Sequence, residues 1–476
     1  MTDRPRFWLL TALHLGIALI YRHVFGVGIE PDPGIWQILP TDLLAARPVE
    51  SIWNMHSQPP LFNALRAVLV NAFGDAALDR LHDVHMVLGA LMCGMVYVVA
   101  REIVRRRWLA FVAALAVALH PSLFLYEAYE LYTLVSAFLV VAVLMCLARH
   151  RRSQRRVWLY GFVLCLDLLV LTRSVFHPLL LLLAVPSACV LAGPRWRRVL
   201  VVTAALSCVS LGWYAKNELQ YGTFSGSSWG GLCLFRVASY KWSPQELAAL
   251  AASGEIAPAV ASLRAFSRPS AYVPFGFDRT SPVPALSRDD FHNINVVALS
   301  SMYGRAALQL IRRRPDRYVA TVTQAVRTFC SPSAWYWGVE KNAARIAWHV
   351  GLVAGLLEGG WFARLGGAWF PHRGDFGSFV VVLLPLALLL HLWAMVRGCG
   401  TSLAAFRHRL RGDAAMSGAW LLIAYTLVVT SCLEYGENNR FRFLVEPVLW
   451  PFLVAVAHRV VLRRRAARWS ARVRAA

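Results

Sequence analysis

The sequence predicts an all-α, polytopic membrane protein with about ten transmembrane helices, amphipathic helices on the outer side and one large outer loop. Of its 476 residues, 58% are hydrophobic and only 16% are charged, and the mean hydropathy is +0.50. These values are too apolar for an ordinary soluble domain. A helix needs roughly 20 mostly apolar residues to cross a bilayer. Ten such stretches lie near 8–25, 84–101, 108–125, 131–147, 157–172, 175–192, 198–214, 377–396, 417–433 and 443–461.

The net charge of +23 is concentrated in six basic clusters: "MTDRPR", "REIVRRR", "RHRRSQRR", "GPRWRR", "FRHRLR" and "HRVVLRRRAARWSARVR". With ten spans and a cytoplasmic N-terminus, all six clusters fall on the cytoplasmic side, as the positive-inside rule requires. The basic charge therefore indicates topology, and nucleic acid is not an expected partner. We expect a multi-pass protein of the plasma (inner) membrane, surrounded by membrane lipid.

This topology divides the chain into three regions. They are an N-terminal transmembrane module (1–214) with a first outer loop (26–83), a large outer, periplasmic loop region (215–376), and C-terminal transmembrane helices with a basic cytoplasmic tail (377–476). The helical periodicity of the large loop is broken at Pro315. We expect its helices to lie against the membrane rather than to form an independent globular domain, and we interpret 346–365 as an interfacial helix.

Three arginines lie on the outer side, against the charge rule. Arg440 and Arg442 precede the last span, and Arg173 lies at the tip of the hairpin "LTRSVFHP". Arginine suits bidentate capture of a phosphate, and a site poor in water strengthens that contact. The alternative is that these side chains reach towards the interface or pair with Glu434 or Glu437.

Outer carboxylates are candidates for a general base, which takes a proton from an attacking hydroxyl. In the first outer loop, Asp32 stands between two prolines in a stiff, extended segment. Asp42 precedes "LLAARPVESIW" and is equally suited to capping a helix. Glu127, three residues before Glu130 in a short outer loop, is a candidate to assist the base or to bind an acceptor; an exposed turn charge is the alternative.

Other polar residues near these loops are candidates for substrate contact. The segment "HSQPPLFN" offers His56 and Gln58 before a Pro-Pro pair that presets the start of a helix. After the seventh span, Lys216 and Asn217 precede a Ser/Gly/Trp cluster. A structural histidine and a tryptophan that anchors the chain at the interface are the alternatives.

The nine cysteines show no metal-ligand spacing. We therefore expect no metal or other cofactor, although no residue pattern excludes a divalent ion. Cys233 and Cys330 both fall on the outer side and are candidates for a disulfide.

Three of these features together resemble the GT-C superfamily of integral-membrane glycosyltransferases, especially the bacterial relatives of protein mannosyltransferases and aminoarabinose transferases. The acidic first outer loop is followed by "SQPPLFN", similar to the family's Pro-Pro-Leu element. A short outer loop with Glu127 follows the third span. The last span opens with "ENNRFRFLVEPVLWPFL", similar to the family's Arg-aromatic-Arg-x-x-x-x-Pro ending.

The resemblance implies transfer of a sugar from a polyprenyl-phosphate donor to a glycan, lipid or protein acceptor on the outer side, usually with inversion. It also implies that a first-loop aspartate is the base and that outer arginines bind the leaving lipid phosphate. Where the family often shows a paired Asp-Glu, this chain has "EPDP" and the distant Asp42, so both aspartates remain candidates. On this interpretation, replacing Arg440 or Arg442 by alanine abolishes donor use without unfolding the protein.

A transporter or flippase of a lipid-linked glycan is the rival interpretation. Transporters place ionisable residues near the middle of the membrane and often have repeated halves. Here Asp167 is the clearest carboxylate inside a span, and the sequence shows no internal repeat.

Overall fold

A computed structural model describes residues 3–30, 37–278, 280–358, 378–399 and 402–475. The described chain is helical and contains no β-strand, which confirms the all-α prediction. Its N-terminal part contains eleven α-helices: α1 Arg4–His23, α2 Thr41–Ala46, α3 Pro48–Asn54, α4 Leu61–Phe73, α5 Ala77–Val104, α6 Arg107–Ala118, α7 Pro121–Glu127, α8 Thr133–Ser153, α9 Val157–Thr172, α10 Leu179–Ala192 and α11 Trp196–Tyr221.

The rest of the described chain continues the series. The outer region contains α12 Gly230–Ser239, α13 Pro244–Ala252, α14 Pro258–Ser262, α15 Asn295–Arg313, α16 Pro315–Cys330, α17 Glu340–Arg345 and α18 Ala347–Leu356. The C-terminal part contains α19 Val380–Cys399, α20 Leu403–Gly412, α21 Ala414–Leu433, α22 Asn438–Phe443 and α23 Glu446–Ala475. Short 3₁₀ segments lie at Gly74–Ala76, Gly193–Arg195, Pro269–Phe275, Pro284–Leu286, Ser333–Trp335 and Trp337–Val339.

All ten predicted spans coincide with helices: α1, α5, the α6–α7 pair, α8, α9, α10, α11, α19, α21 and α23. By length and composition, five of the described helical stretches can cross a membrane, or six if the α6–α7 pair, bent by 46°, is one span. The smaller number arises partly because α10 and α11 are counted together and because α9 has only sixteen residues. Ten spans therefore remain a prediction.

The basic clusters meet at one end of the helical bundle. Asp3 lies 3.5 Å from Arg101 on α5 and 3.1 Å from Arg152 on α8. Arg105, which follows α5, lies 2.9 Å from Asp413, which precedes α21. We call this the basic end; the predicted topology makes it cytoplasmic.

The outer region differs from our expectation, because its helices share a hydrophobic core of their own. The core of this outer unit (residues 229–318) includes Trp229, Phe235, Phe291 and Tyr303, all buried. Helix α12 packs closely on α15 because Gly231 has no side chain: an added Cβ would overlap the Ser300 carbonyl. The amphipathic periodicity of α15 thus reflects packing within the unit, whereas α16 contributes Phe329 and Cys330 to the main core. As predicted, Pro315 separates two helices, α15 and α16.

The predicted interfacial helix is observed only as the ten-residue α18, and residues 359–365 lie outside the described chain. It packs inwards through His349, whose Nδ1 lies 2.8 Å from the hydroxyl of Tyr21 on α1. Glu358, two residues after the end of α18, is buried.

Candidate functional site

The short helix α22 places Arg440 near Arg173, the residue that follows α9. The guanidinium carbon of Arg173 lies 4.3 Å from the centre of the Phe441 ring, and that of Arg440 lies 5.5 Å from the same ring. Each arginine is only 2% exposed. We call these two residues the arginine pair. The aromatic ring that they share stabilises both cations through its π face.

The two members of the arginine pair are compensated unequally. Arg440 Nη2 lies 2.7 Å from Glu437 Oε2. Burial alone would lower the pKa of Arg440, but the Glu437 carboxylate outweighs it and the pKa is raised. In the described chain Arg173 forms no ion pair, and its buried Nη1 has no hydrogen-bond partner. Burial, together with the charge of Arg440, lowers the pKa of Arg173 to about 10, so the side chain stays charged at neutral pH.

Tyrosines and the end of the first outer loop surround the arginine pair. The Tyr132 ring centre lies 4.9 Å from the Arg173 guanidinium carbon, and its hydroxyl donates to Gln37 Oε1 at 2.7 Å. The same oxygen lies 3.5 Å from Arg440 Nη1. On the other side, the Tyr336 ring centre lies 5.4 Å from the Arg440 guanidinium carbon. The surroundings combine aromatic faces with amide and hydroxyl groups.

Asp32 lies outside the described residues, but the residues on both sides of its segment are placed. Before it, Glu30 lies 3.1 Å from Lys341 Nζ and 2.7 Å from Arg345. After it, Gln37 contacts the arginine pair as described. The described chain therefore stops beside α17 at Glu30 and resumes beside Arg440 at Gln37.

Arg442 belongs to a second, fully buried network. Its guanidinium donates to Glu358 Oε1 at 2.9 Å and to Glu446 Oε1 at 2.6 Å. It also donates to the backbone carbonyls of Cys330 and Ser331, at 2.9 Å each. This network joins α16, α22, α23 and the end of the α18 segment, so Arg442 fixes several helices in place.

The same network contains a set of potential metal ligands. His120 Nε2 lies 3.1 Å from Glu358 Oε1, and one ligand atom from each of His120, Glu358 and Glu446 lies within 4.8 Å of the other two. Such spacing is compatible with a metal ion. Because Arg442 donates to both carboxylates, a protein side chain already supplies the positive charge at this position.

The chain is similar in fold to solved membrane glycosyltransferases. No protein-family model matches it, and no curated protein matches it. It is 16% identical to the archaeal oligosaccharyltransferase AglB from Archaeoglobus fulgidus, whose structure was solved in complex with an inhibitory peptide and a dolichol-phosphate. The TM-score is 0.44, and the match covers 100% of this chain and 52% of AglB. It is 14% identical to ArnT from Cupriavidus metallidurans bound to undecaprenyl phosphate, with a TM-score of 0.35 over 96% of this chain and 78% of that one.

AglB and ArnT are both GT-C superfamily membrane glycosyltransferases, the superfamily that the sequence motifs resemble. This chain spans about half the length of AglB. At these TM-scores and identities, the likeness assigns no role to any residue of this chain.

The two remaining carboxylates proposed for catalysis lie apart from the arginine pair's contacts. Glu127 is buried, and its Oε1 lies 2.6 Å from Nε2 of His14 on α1; Gly89 on α5 leaves the space that this carboxylate fills. Asp42 lies in the first turn of α2, whose N-cap is Pro40, so Asp42 does not cap the helix. Its side chain is 65% exposed and lies 2.8 Å from Arg288.

Lys216 and Asn217 lie at a junction between the first outer loop and the chain that follows α11. Lys216 Nζ donates to the carbonyls of Trp53 and Met55, at 2.9 Å each, and lies 3.9 Å from the centre of the Trp213 ring. Asn217 Nδ2 donates to the Ser225 carbonyl at 2.6 Å. Both side chains thus donate to backbone carbonyls of the protein itself, which favours a structural role for Lys216 and Asn217.

His56 and Gln58 extend the same junction to the outer unit. The Nδ1 of His56 lies 2.7 Å from Ser228 Oγ, and its Nε2 lies 3.0 Å from the carbonyl of His292. Burial, reinforced by the neighbouring His292, lowers the pKa of His56 to about 3, so the ring is neutral. Gln58 is buried, and its Oε1 has no hydrogen-bond partner in the part of the chain that the structure describes. We call this set of contacts the loop junction.

Sequence reasoning missed several residues of the site. Tyr132, Gln37 and Tyr336 contact the arginine pair, and Glu358 pairs with Arg442, but none of them stands in a recognised motif. The aromatic run "SAWYWG", residues 333–338, was the only available indication of Tyr336. Cys233 and Cys330, candidates for a disulfide, are both free thiols.

Proposed function

We propose that this protein is a membrane glycosyltransferase that moves a sugar from a polyprenyl-phosphate donor to an acceptor on the outer side of the membrane, with inversion. The observation that carries the proposal is the arginine pair: two buried guanidinium groups on one phenylalanine ring. One of them, Arg173, has an Nη1 without a partner among the residues that the structure describes. A buried polar donor without a partner is costly unless a ligand satisfies it. A phosphate oxygen is the ligand that an arginine fork fits best.

Charge supports the choice of ligand. The arginine pair and Glu437 together carry a formal charge of +1. A polyprenyl-phosphate sugar is a phosphodiester with one negative charge, which balances it. When the bond to the sugar breaks, the leaving phosphate gains further negative charge, and preorganised guanidinium groups stabilise that growing charge more than they stabilise the donor.

Within this reaction we assign the general base to Asp32. The alternative, Asp42, is exposed and already paired with Arg288. Asp32 lies only five residues before Gln37 in the sequence, and Gln37 is a neighbour of both Arg440 and Tyr132. Arg442 receives no donor-binding role, because its hydrogen bonds go to Glu358, Glu446 and two carbonyls. Glu127 also receives none, since its carboxylate pairs with His14.

A flippase for a lipid-linked glycan remains the alternative. Its main support in the sequence was Asp167, a carboxylate inside a span. In the structure Asp167 accepts a hydrogen bond from Ser210 on α11 at 2.5 Å. This contact between α9 and α11 explains the carboxylate as part of helix packing.

The test is transfer by the purified protein reconstituted in lipid with a panel of polyprenyl-phosphate sugars and a membrane-glycolipid extract. Mass spectrometry follows loss of donor and gain of mass on an acceptor. We expect Asp32→Asn to remove transfer while donor binding persists, and Arg173→Gln and Arg440→Gln to remove donor binding. Arg314→Gln, which alters an exposed outer arginine paired only with nearby Asp316, is the matched control.

If Asp32→Asn, Arg173→Gln and Arg440→Gln all consume donor at the wild-type rate, the arginine pair and Asp32 are not the transfer site. If no donor in the panel is consumed while lipid-linked glycan crosses the bilayer in a scrambling assay, the flippase interpretation is correct.

A further inference from the structure

A cavity of about 220 Å³ lies at the basic end, on the far side of the molecule from the arginine pair. Helix α23 runs between the two regions: it begins at Glu446, just after α22, and Arg459 of the cavity wall lies 13 residues further along it. At 1.5 Å per residue this stretch of helix is about 20 Å long, roughly two thirds of the thickness of a bilayer's hydrocarbon core. The cavity therefore cannot serve the proposed transfer site and needs its own explanation.

The walls of the cavity are apolar towards the membrane and polar towards the basic end. Leu390, Trp393, Val456 and Val460, from α19 and α23, form the apolar part. Trp393 is also 50% exposed on the outside of α19. A tryptophan at this depth is typical of the membrane interface.

Two unsatisfied polar groups face the cavity. His391 is 5% exposed, and among the described residues its buried Nε2 has no hydrogen-bond partner. Arg409, on the basic helix α20, forms no ion pair within the described chain. The nearby carboxylate, Asp413, is already held by Arg459, at 3.0 and 3.1 Å, and by Arg105, at 2.9 Å. The polar side of the cavity thus has a net positive charge and a histidine ring nitrogen that can donate to an anion in the Nε2-protonated tautomer.

We propose that this cavity binds one anionic phospholipid, with its phosphate at Arg409 and His391 Nε2 and the start of an acyl chain along the apolar wall. Basic pockets between transmembrane helices on the cytoplasmic side bind anionic head groups for the same electrostatic reason. The cavity volume fits a head group and its first methylene groups rather than a whole lipid. The apolar wall favours a membrane lipid over free phosphate, because free phosphate has no acyl chain to pack against that wall.

The test is native mass spectrometry of the full-length protein in detergent, with palmitoyl-oleoyl phosphatidylglycerol, the corresponding phosphatidylcholine, or glycerol phosphate added. We expect phosphatidylglycerol to be retained at least fivefold more than phosphatidylcholine, and glycerol phosphate not to be retained. Arg409→Gln should reduce phosphatidylglycerol retention to the phosphatidylcholine level. Arg407→Gln, an exposed arginine of the same helix, should leave it unchanged.

A second variant tests the cavity without changing the charge. Ala394→Phe fills the space beside Trp393 and should also remove retention of phosphatidylglycerol. Equal loss in the Arg407 and Arg409 variants would mean that the basic surface, not the cavity, attracts the lipid. Equal retention of the two lipids, retention of glycerol phosphate as strong as that of the lipid, or full retention by the filled variant would each overturn the proposal.

Discussion

Replacing Arg442 by glutamine should destabilise the protein, whereas the same change at Arg440 should impair binding of a lipid phosphate. Arg442 makes five hydrogen bonds in its network, three of them to the buried carboxylates of Glu358 and Glu446. Removing one partner of a buried ion pair costs about 3–5 kcal/mol, because the remaining charge is left uncompensated. In a chain of 476 residues, such a loss lowers the apparent Tm by roughly 3–5 °C.

Thermal unfolding in detergent, followed by tryptophan fluorescence at one scan rate, measures this effect. Adding Glu358→Gln to Arg442→Gln removes one of the unpaired charges and should recover part of the loss. Arg440→Gln leaves unpaired Glu437, which is more exposed than Glu358. It should therefore lower the Tm less than Arg442→Gln does, but bind undecaprenyl phosphate at least tenfold more weakly than the wild type. Wild-type stability of Arg442→Gln combined with lost lipid-phosphate binding would refute the separation of roles and restore the sequence-based expectation for both arginines.

Three further perturbations test other parts of the structure. Glu437→Gln removes the internal counter-ion of Arg440. Binding of undecaprenyl phosphate should tighten about tenfold, since one charge-assisted hydrogen bond is worth roughly 1.5–3 kcal/mol. Unchanged affinity in a nanodisc binding assay would contradict this expectation. Gly89→Ala drives a Cβ into Glu127 and disturbs its pair with His14, so thermal unfolding should show a loss of about 1–3 kcal/mol. The control, Gly212→Ala, has open space around its Cβ and should be neutral or stabilising by about 0.5–1 kcal/mol. Lowering the pH below about 6.5 should loosen the loop junction, because unfolded His56 then binds a proton that the folded ring, with a pKa of about 3, does not. The free energy that holds the junction folded falls by about 1.4 kcal/mol for each pH unit below about 6.5. Limited proteolysis of the first outer loop measures this effect, and His56→Gln should flatten its pH dependence.

Much of the helical framework was predictable because apolar length and basic flanks depend on the local sequence. The hairpin at Arg173 and the helix start after Pro60 follow from short-range rules in the same way. The core of the outer unit was not predictable, since an amphipathic helix has the same pattern whether its apolar face meets lipid or another helix. Nor were the partners of Arg442: Glu358 lies 84 residues away, and only the folded chain brings the two together.

The motif "RFRF" explains why two neighbouring arginines have different partners. At 3.6 residues per turn, side chains two positions apart on a helix leave it about 200° apart. Arg440 and Arg442, and likewise Phe441 and Phe443, therefore leave α22 in divergent directions. Phe441 lies against the arginine pair, whereas Phe443 stacks on Tyr126 with ring centres 4.1 Å apart.

In an extended strand the same two arginines would share one face and reach the same anion. The helical conformation instead gives one arginine to the proposed phosphate site and commits the other to the buried carboxylates. Arg442 fixes the rotation of α22 about its axis, and this rotation determines the position of the Arg440 side chain. Under the proposed function, Arg442 therefore affects donor binding only indirectly, through the position of Arg440, and a substitution that keeps its hydrogen bonds to Glu358 and Glu446 should preserve the site.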